Sequence, residues 1–130
     1  MHSQIRLTAA LIVSAAVFTI DDSGVRAAQD PRVITITARR FEFSPKEITI
    51  QQGETVKLQL RSEDVTHGFF VRPLGIDEEI VPDKTTEVVV TPQTEGRYTT
   101  ICDHFCGAGH GSMKMTIVVE KGAPAGKTGP

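Results

Sequence analysis

The sequence predicts an all-β fold, a two-sheet sandwich in a single domain, from three observations. From Pro31 onward apolar and polar residues alternate with a period of two, and turn-favouring residues interrupt the alternation at short intervals. Outside the first 27 residues no apolar repeat of three to four residues is sustained, which argues against a helical bundle. Seven or eight short strands in about ninety residues are typical of a sandwich with one core.

Each predicted strand is bounded by residues that favour turns. Pro45 ends the first alternating run, Gly53 follows the second, and Pro92 comes directly after a later one. The segment 56–60 places three aliphatic side chains on one face, so these are candidates for the core. In chain order, the predicted strands are 33–43, 48–50, 56–60, 69–71, 88–90, 98–101 and 115–119.

The first 27 residues have the layout of an export signal. An apolar stretch runs from Leu7 to Ile20, and Val25 and Ala27 supply a cleavage site before Ala28. The stretch is shorter than the ~20 residues that usually span a bilayer. We therefore expect a signal peptide over 1–27, with an uncleaved anchor as the alternative. The domain is expected over 28–120, followed by a flexible Gly- and Pro-rich tail over 121–130.

Composition argues against nucleic acid as a partner. The chain has 14 Lys and Arg against 16 Asp and Glu, a formal net charge of −2, and no basic cluster. The densest group of charges is acidic and is interpreted as a solvated loop, or alternatively as a patch that steers a basic redox partner. Its members are Asp77, Glu78, Glu79 and Asp83.

Most of the side chains that could bind a metal ion lie in one segment. Residues 102–113 contain both cysteines, two histidines and a methionine. Thiolate and thioether sulfurs suit Cu(I) and imidazole suits Cu(II), so a site that mixes them can hold copper through a one-electron cycle. Cys102 and Cys106 can each bridge two ions, and His110 and Met113 lie in the same segment. The second imidazole then comes from His67, which stands where a polar turn meets an apolar strand.

Two other interpretations of the cysteines stay open. Cys102 and Cys106 are four residues apart in an exported chain, where a disulfide can form, including a reversible one before copper loading. Two cysteines with two histidines also make a tetrahedral zinc set. A disulfide gives His110 and Met113 no role, and zinc gives Met113 none, so the residues favour copper.

Four stretches of the chain resemble the dicopper centre, CuA, of cytochrome c oxidase subunit II. The resemblance reaches from about Phe41 to Glu120 and implies a cupredoxin-like Greek-key β-sandwich. The matching stretches are Asp64-Val65-Thr66-His67-Gly68-Phe69, Gly96-Arg97-Tyr98, Cys102-x3-Cys106-Gly107-x2-His110-x2-Met113 and Thr116-Ile117-Val118-Val119.

The resemblance also implies two copper ions per chain and a ligand for each position. Cys102 and Cys106 would bridge both ions, and His67 and Met113 would complete one of them. The other would be completed by His110 and by the backbone carbonyl of His104, the sixth candidate ligand.

The function implied by this family is electron transfer. The domain would accept single electrons from a c-type cytochrome or another periplasmic donor and, in an oxidase, pass them to subunit I. Copper chaperones would load it, and it would lie in the periplasm or on the outer face of the inner membrane. The domain would not be an enzyme on its own and would take part in oxidoreductase activity only as part of a terminal oxidase. The alternative function is copper delivery or storage with the same ligands.

Three features differ from the family pattern. His104 stands where the family usually has a glutamate whose side chain reaches another metal at the oxidase interface. The chain has no Trp, and Phe105 and Phe70 are the nearest aromatic substitutes for receiving electrons. The sequence shows no counterpart of the membrane hairpin of ordinary subunit II. We therefore expect a domain that is free, singly anchored through Leu7 to Ile20, or part of a minimal oxidase of the single-anchor type.

Overall fold

The computed structural model describes residues 29–122, so the predicted signal or anchor and most of the predicted tail lie outside the described residues. Within this range no helix is long and apolar enough to cross a membrane. In the described part of the chain the helices are two short 3₁₀ turns, Arg72–Leu74 and His110–Ser112. The strands are β1 (Arg32–Arg39), β2 (Glu42–Ser44), β3 (Glu47–Gln51), β4 (Val56–Ser62), β5 (His67–Val71), β6 (Ile76–Ile80), β7 (Thr86–Val90), β8 (Gly96–Ile101) and β9 (Lys114–Glu120).

The strands form two sheets. One has the order β2-β1-β4-β7 and the other has the order β3-β9-β8-β5-β6. The pairs β1–β4 and β3–β9 are parallel, and the remaining pairs are antiparallel. The chain crosses repeatedly between the two sheets, and this confirms the predicted all-β sandwich.

The core lies between the sheets and follows from the alternation in the sequence. On β4, Val56, Leu58 and Leu60 are buried, as predicted, while the residues between them are partly exposed. Phe43 and Phe69 meet edge to face in this core, with their ring centroids 5.7 Å apart. Other fully buried members are Ile36, Ile50, Val71, Ile80 and Ile117.

Two sequence predictions differ from the structure. The predicted run 33–43 is not one strand, because the chain turns at Arg40 and Phe41 so that β2 folds back antiparallel on β1. The acidic residues 77–79 lie on strand β6 and not in a loop. In β6 only the end residues Ile76 and Ile80 are buried, so the acidic stretch between them carries no period-two signal.

Candidate metal centre

Three neighbouring strands bring most of the candidate ligands to one end of the five-stranded sheet. β8 ends immediately before Cys102, and β9 begins immediately after Met113. The connecting residues 102–113 are called the cysteine loop below. β5, which begins with His67, runs antiparallel to β8 and pairs with it through Phe70 and Ile101. This register places the first residues of β5 beside the cysteine loop.

Four buried side chains meet there. A ring nitrogen of His67 and the Sγ atoms of Cys102 and Cys106 all lie within 4.8 Å of one another. The two Sγ atoms are 3.6 Å apart, and Nδ1 of His67 is 4.0 Å from Sγ of Cys102. Sδ of Met113 lies 3.9 Å from Sγ of Cys106. Each thiol therefore has a further donor atom of its own.

The remaining two candidates, His104 and His110, lie around this cluster. The Cys102 thiol donates to the backbone carbonyl oxygen of His104 at 3.1 Å. His110 is not part of the group of three, and its ring packs edge-on against Phe105, with centroids 5.4 Å apart. Nδ1 of His110 is buried and has no hydrogen-bond partner within residues 29–122. Nδ1 of His104 is buried without a partner in the same way, so either ring nitrogen is available to a cation.

The two cysteines are free thiols in the structure. Their Sγ atoms at 3.6 Å are well beyond the ~2.05 Å of a disulfide bond. Burial raises the pKa of the Cys106 thiol to about 11, and the hydrogen bond with Cys102 adds to this effect. Without a bound cation this thiol stays protonated at neutral pH, so a metal must displace its proton to bind.

Asp64 orients the imidazole of His67. Its Oδ1 lies 2.7 Å from Nε2 of His67, which leaves Nδ1 facing the Cys102 sulfur. Partial burial acts to raise the pKa of Asp64, but hydrogen bonds from the Arg40 backbone, from His67 and from the Val65 backbone outweigh it and lower the pKa to about 2. The carboxylate is therefore ionised at neutral pH and accepts a hydrogen bond from the Nε2–H group of His67.

Four residues that the sequence does not single out as functional also contact this centre or its loop. Arg40 and Phe41, at the β1–β2 turn, contact the cysteine loop from a distant part of the chain. Gly68 approaches the loop backbone so closely that a Cβ atom there would lie 2.6 Å from the backbone nitrogen of His104. Asp64 is the only one of the four with a local signal, since it is a carboxylate near His67 in sequence and ligand histidines commonly donate their second ring N–H to a carboxylate.

The donor set fits copper. Two thiols, a thioether and an imidazole converge in a buried site, and thiolate and thioether sulfurs prefer Cu(I). The contact between Met113 and Cys106 gives the thioether a role that a structural zinc site does not need. The site also excludes water, because His67, Cys102, Cys106 and Met113 are all buried.

Comparison with known proteins agrees with this geometry. Residues 8–119 match the family model of the cupredoxin-like domain. The chain belongs to the cupredoxin-like family. It is 33% identical over 97 residues to cytochrome c oxidase subunit 2 of Thermus thermophilus, spanning 75% of this chain and 72% of that protein. It is equally similar to the longer subunit 2 of a second strain of that species, of which it spans 58%.

A solved structure supports the same relation. A heme-copper terminal oxidase dimer determined by cryo-EM matches with a TM-score of 0.64 and 27% identity, over 70% of this chain and 66% of that one. The predicted cupredoxin-like fold and the resemblance to subunit II of cytochrome c oxidase are thereby confirmed. Together with the Cys and His cluster, this cupredoxin-like relation implies that the protein binds copper.

Proposed function

We propose that this protein is an exported dinuclear-copper electron-transfer protein of the CuA type, which accepts and passes single electrons. The observation that carries the proposal is the pair of buried Sγ atoms 3.6 Å apart, each with its own additional donor. The proposed ligands are His67, Cys102, the carbonyl of His104, Cys106, His110 and Met113.

The protein contributes a rigid and dry ligand frame. Cys102 and Cys106 would hold the two copper ions between them, and the pair would supply a one-electron redox couple whose charge change is spread over both ions. Cys102 and Met113 are anchored at the ends of β8 and β9, and the Cys102 N–H donates to the Met113 carbonyl at 3.2 Å. His67 is fixed by its strand and by Asp64. The ligands therefore keep their places when the charge changes.

The proposed electron donor is a c-type cytochrome or a similar periplasmic protein. The acidic strand β6 pairs with β5, and Glu79 lies opposite Gly68, the residue next to His67. This register supports a role for the acidic residues in steering a basic donor toward the centre. In an oxidase, subunit I would be the acceptor. Copper chaperones would load the site in the periplasm or at the outer face of the inner membrane.

Metal analysis and electron resonance of the purified full chain test the proposal. We expect two copper ions per chain and a mixed-valence signal in which both nuclei share one electron. A copper delivery protein would instead lose copper readily to a chelating acceptor and would not recover that signal on reoxidation. One ion per chain, or copper that does not change valence, would contradict the proposal.

His104 is expected to act through its backbone only. His104→Ala should keep two copper ions and the shared-electron signal, because the carbonyl that faces Cys102 is retained. His110→Ala is the matched comparison and should lose copper or alter the signal, since it removes an imidazole. The shared-electron signal is measured by electron resonance of His104→Ala and of His110→Ala, each after loading with copper. An altered signal in His104→Ala would show that its ring takes part.

Met113→Leu is expected to shift the reduction potential more than it lowers copper content, because a weakly bound thioether mainly tunes the metal. The exchange nearly conserves side-chain volume, so the core should tolerate it. Met115→Leu is the matched control, since Met115 is also buried but lies further along β9, opposite Thr100. Voltammetry of both variants makes the test, and equal shifts would remove Met113 from the proposed ligand set.

A further inference from the structure

We propose that Arg40 is a positioning residue that ties the cysteine loop to the Asp64–His67 pair and so holds the two sides of the centre in register. Its relevance to copper rests on the proposed function. The contacts themselves belong to the protein chain and are testable without metal.

The first contact reaches the cysteine loop. Nε of Arg40 donates to the backbone carbonyl of Cys106 at 2.7 Å, across 66 residues of sequence. Within the loop, backbone N–H groups donate to the carbonyls of Gly107, Gly109, His110 and Met113, and the Cys102 thiol donates to that of His104. None of these bonds uses the Cys106 carbonyl. The Cys106 carbonyl is thus held from outside the loop, by the β1–β2 turn. A bond from a charged donor is stronger than one between neutral groups.

The second contact reaches the other side of the centre. The backbone N–H of Arg40 donates to Oδ2 of Asp64 at 2.8 Å, and Oδ1 of Asp64 lies 2.7 Å from Nε2 of His67. One residue therefore links the Cys106 backbone to the carboxylate that orients His67. A displacement of the β1–β2 turn would move both ligands.

The neighbouring residue Phe41 strengthens this link. A Cβ atom on Gly109 would lie 2.5 to 2.9 Å from atoms of the Phe41 ring, so the ring rests directly on the loop backbone. The same turn thus contacts the loop by a hydrogen bond and by packing. Arg39, one residue earlier, instead forms an ion pair with Glu42 and makes no side-chain hydrogen bond to the loop within residues 29–122.

A pair of substitutions separates the hydrogen bond from the charge. In Arg40→Gln the side-chain amide nitrogen stands at the same position along the chain as Nε, so it can donate to Cys106 without a charge. Arg40→Met has similar length and no donor. Arg39→Met is the matched control, because it removes a neighbouring guanidinium that does not contact the loop.

Hydrogen exchange of the copper-free full chain is the main measurement. The informative amides are those of His110, Ser112 and Met113, which are hydrogen-bonded within the loop. We expect about tenfold faster exchange in Arg40→Met, because losing the net free energy of one hydrogen bond raises the population of the open loop by about that factor. Arg40→Gln and Arg39→Met should exchange at near wild-type rates. In the copper-loaded chain, Arg40→Met should change the hyperfine pattern of the electron resonance signal and Arg40→Gln should preserve it.

The outcomes separate this inference from the proposed function. Unchanged exchange in Arg40→Met, or equal acceleration in Arg40→Met and Arg40→Gln, would overturn the positioning role even if the wild type holds two copper ions. If the wild type failed to hold two copper ions, the exchange rates of the copper-free variants would still decide the role of Arg40. Wild-type exchange rates in the strands away from the loop show that Arg40→Met has kept the fold.

Discussion

Replacing either cysteine by serine is expected to abolish the shared-electron signal and to reduce the copper content from two ions per chain to one or none. Cys102 and Cys106 are the only cysteines of the chain, with Sγ atoms 3.6 Å apart, and a serine hydroxyl is a harder and weaker donor for Cu(I). Electron resonance and metal analysis of Cys102→Ser and Cys106→Ser provide the measurement.

The control for this prediction introduces a serine hydroxyl at a loop position that is not a proposed copper ligand. Ala108→Ser lies in the cysteine loop at an exposed position and should keep both copper ions and the signal. The exchange of cysteine for serine nearly conserves side-chain volume, so the fold should be retained. Thermal unfolding of the copper-free variants checks this. A shared-electron signal that survives in either cysteine variant would remove the bridging assignment.

Gly68→Ala is expected to lower the free energy of unfolding of the copper-free protein by about 2 kcal/mol, within the usual range for overpacking, and to displace the ligands. The added Cβ would clash with Oδ1 of Asp103 and would lie 2.8 Å from the backbone nitrogen of Asp103 and 2.6 Å from that of His104. Backbone atoms cannot rotate away as a side chain can. The loop must therefore move away from His67, and the Gly68 N–H to Cys102 Sγ contact at 3.4 Å is lost.

Gly111→Ala is the matched control for Gly68→Ala. Gly111 lies next to the candidate ligand His110, yet a Cβ atom there would meet no atom within 4 Å beyond its chain neighbours and its own 3₁₀ turn. Urea unfolding of the copper-free proteins, followed by copper content after reconstitution, makes the comparison. Equal losses in the two variants would mean that the approach of β5 to the loop does not set the ligand geometry.

The part of the site that the sequence predicts is the part encoded by local spacing. Cys102, Cys106 and Met113 lie within one loop, and their approach follows from that short connection. His67 is a candidate because the cysteine loop needs a second imidazole and because it stands at the start of a strand. The pairing of β5 with β8 brings it to 4.0 Å from Cys102. Their identity as copper ligands remains a prediction.

The parts that the sequence does not predict depend on contacts between distant segments. The Arg40 contact joins residues 66 apart, and Arg40 is an ordinary surface residue by type. Strand β6 has no alternation because it lies at a sheet edge with only its two ends buried. The turn that separates β1 from β2 carries neither Gly nor Pro, so the apolar pattern continues through it.

The position of β6 bears on how copies of this protein behave toward one another. β6 is the outermost strand of its sheet, so within residues 29–122 one of its edges is not paired with another strand, and a strand of another molecule can add there. Two copies meeting there would set the carboxylates of Asp77, Glu78 and Glu79 against the same groups of the other copy. Repulsion between these like charges opposes self-association into continuous sheets, and the acidic strand thus protects solubility.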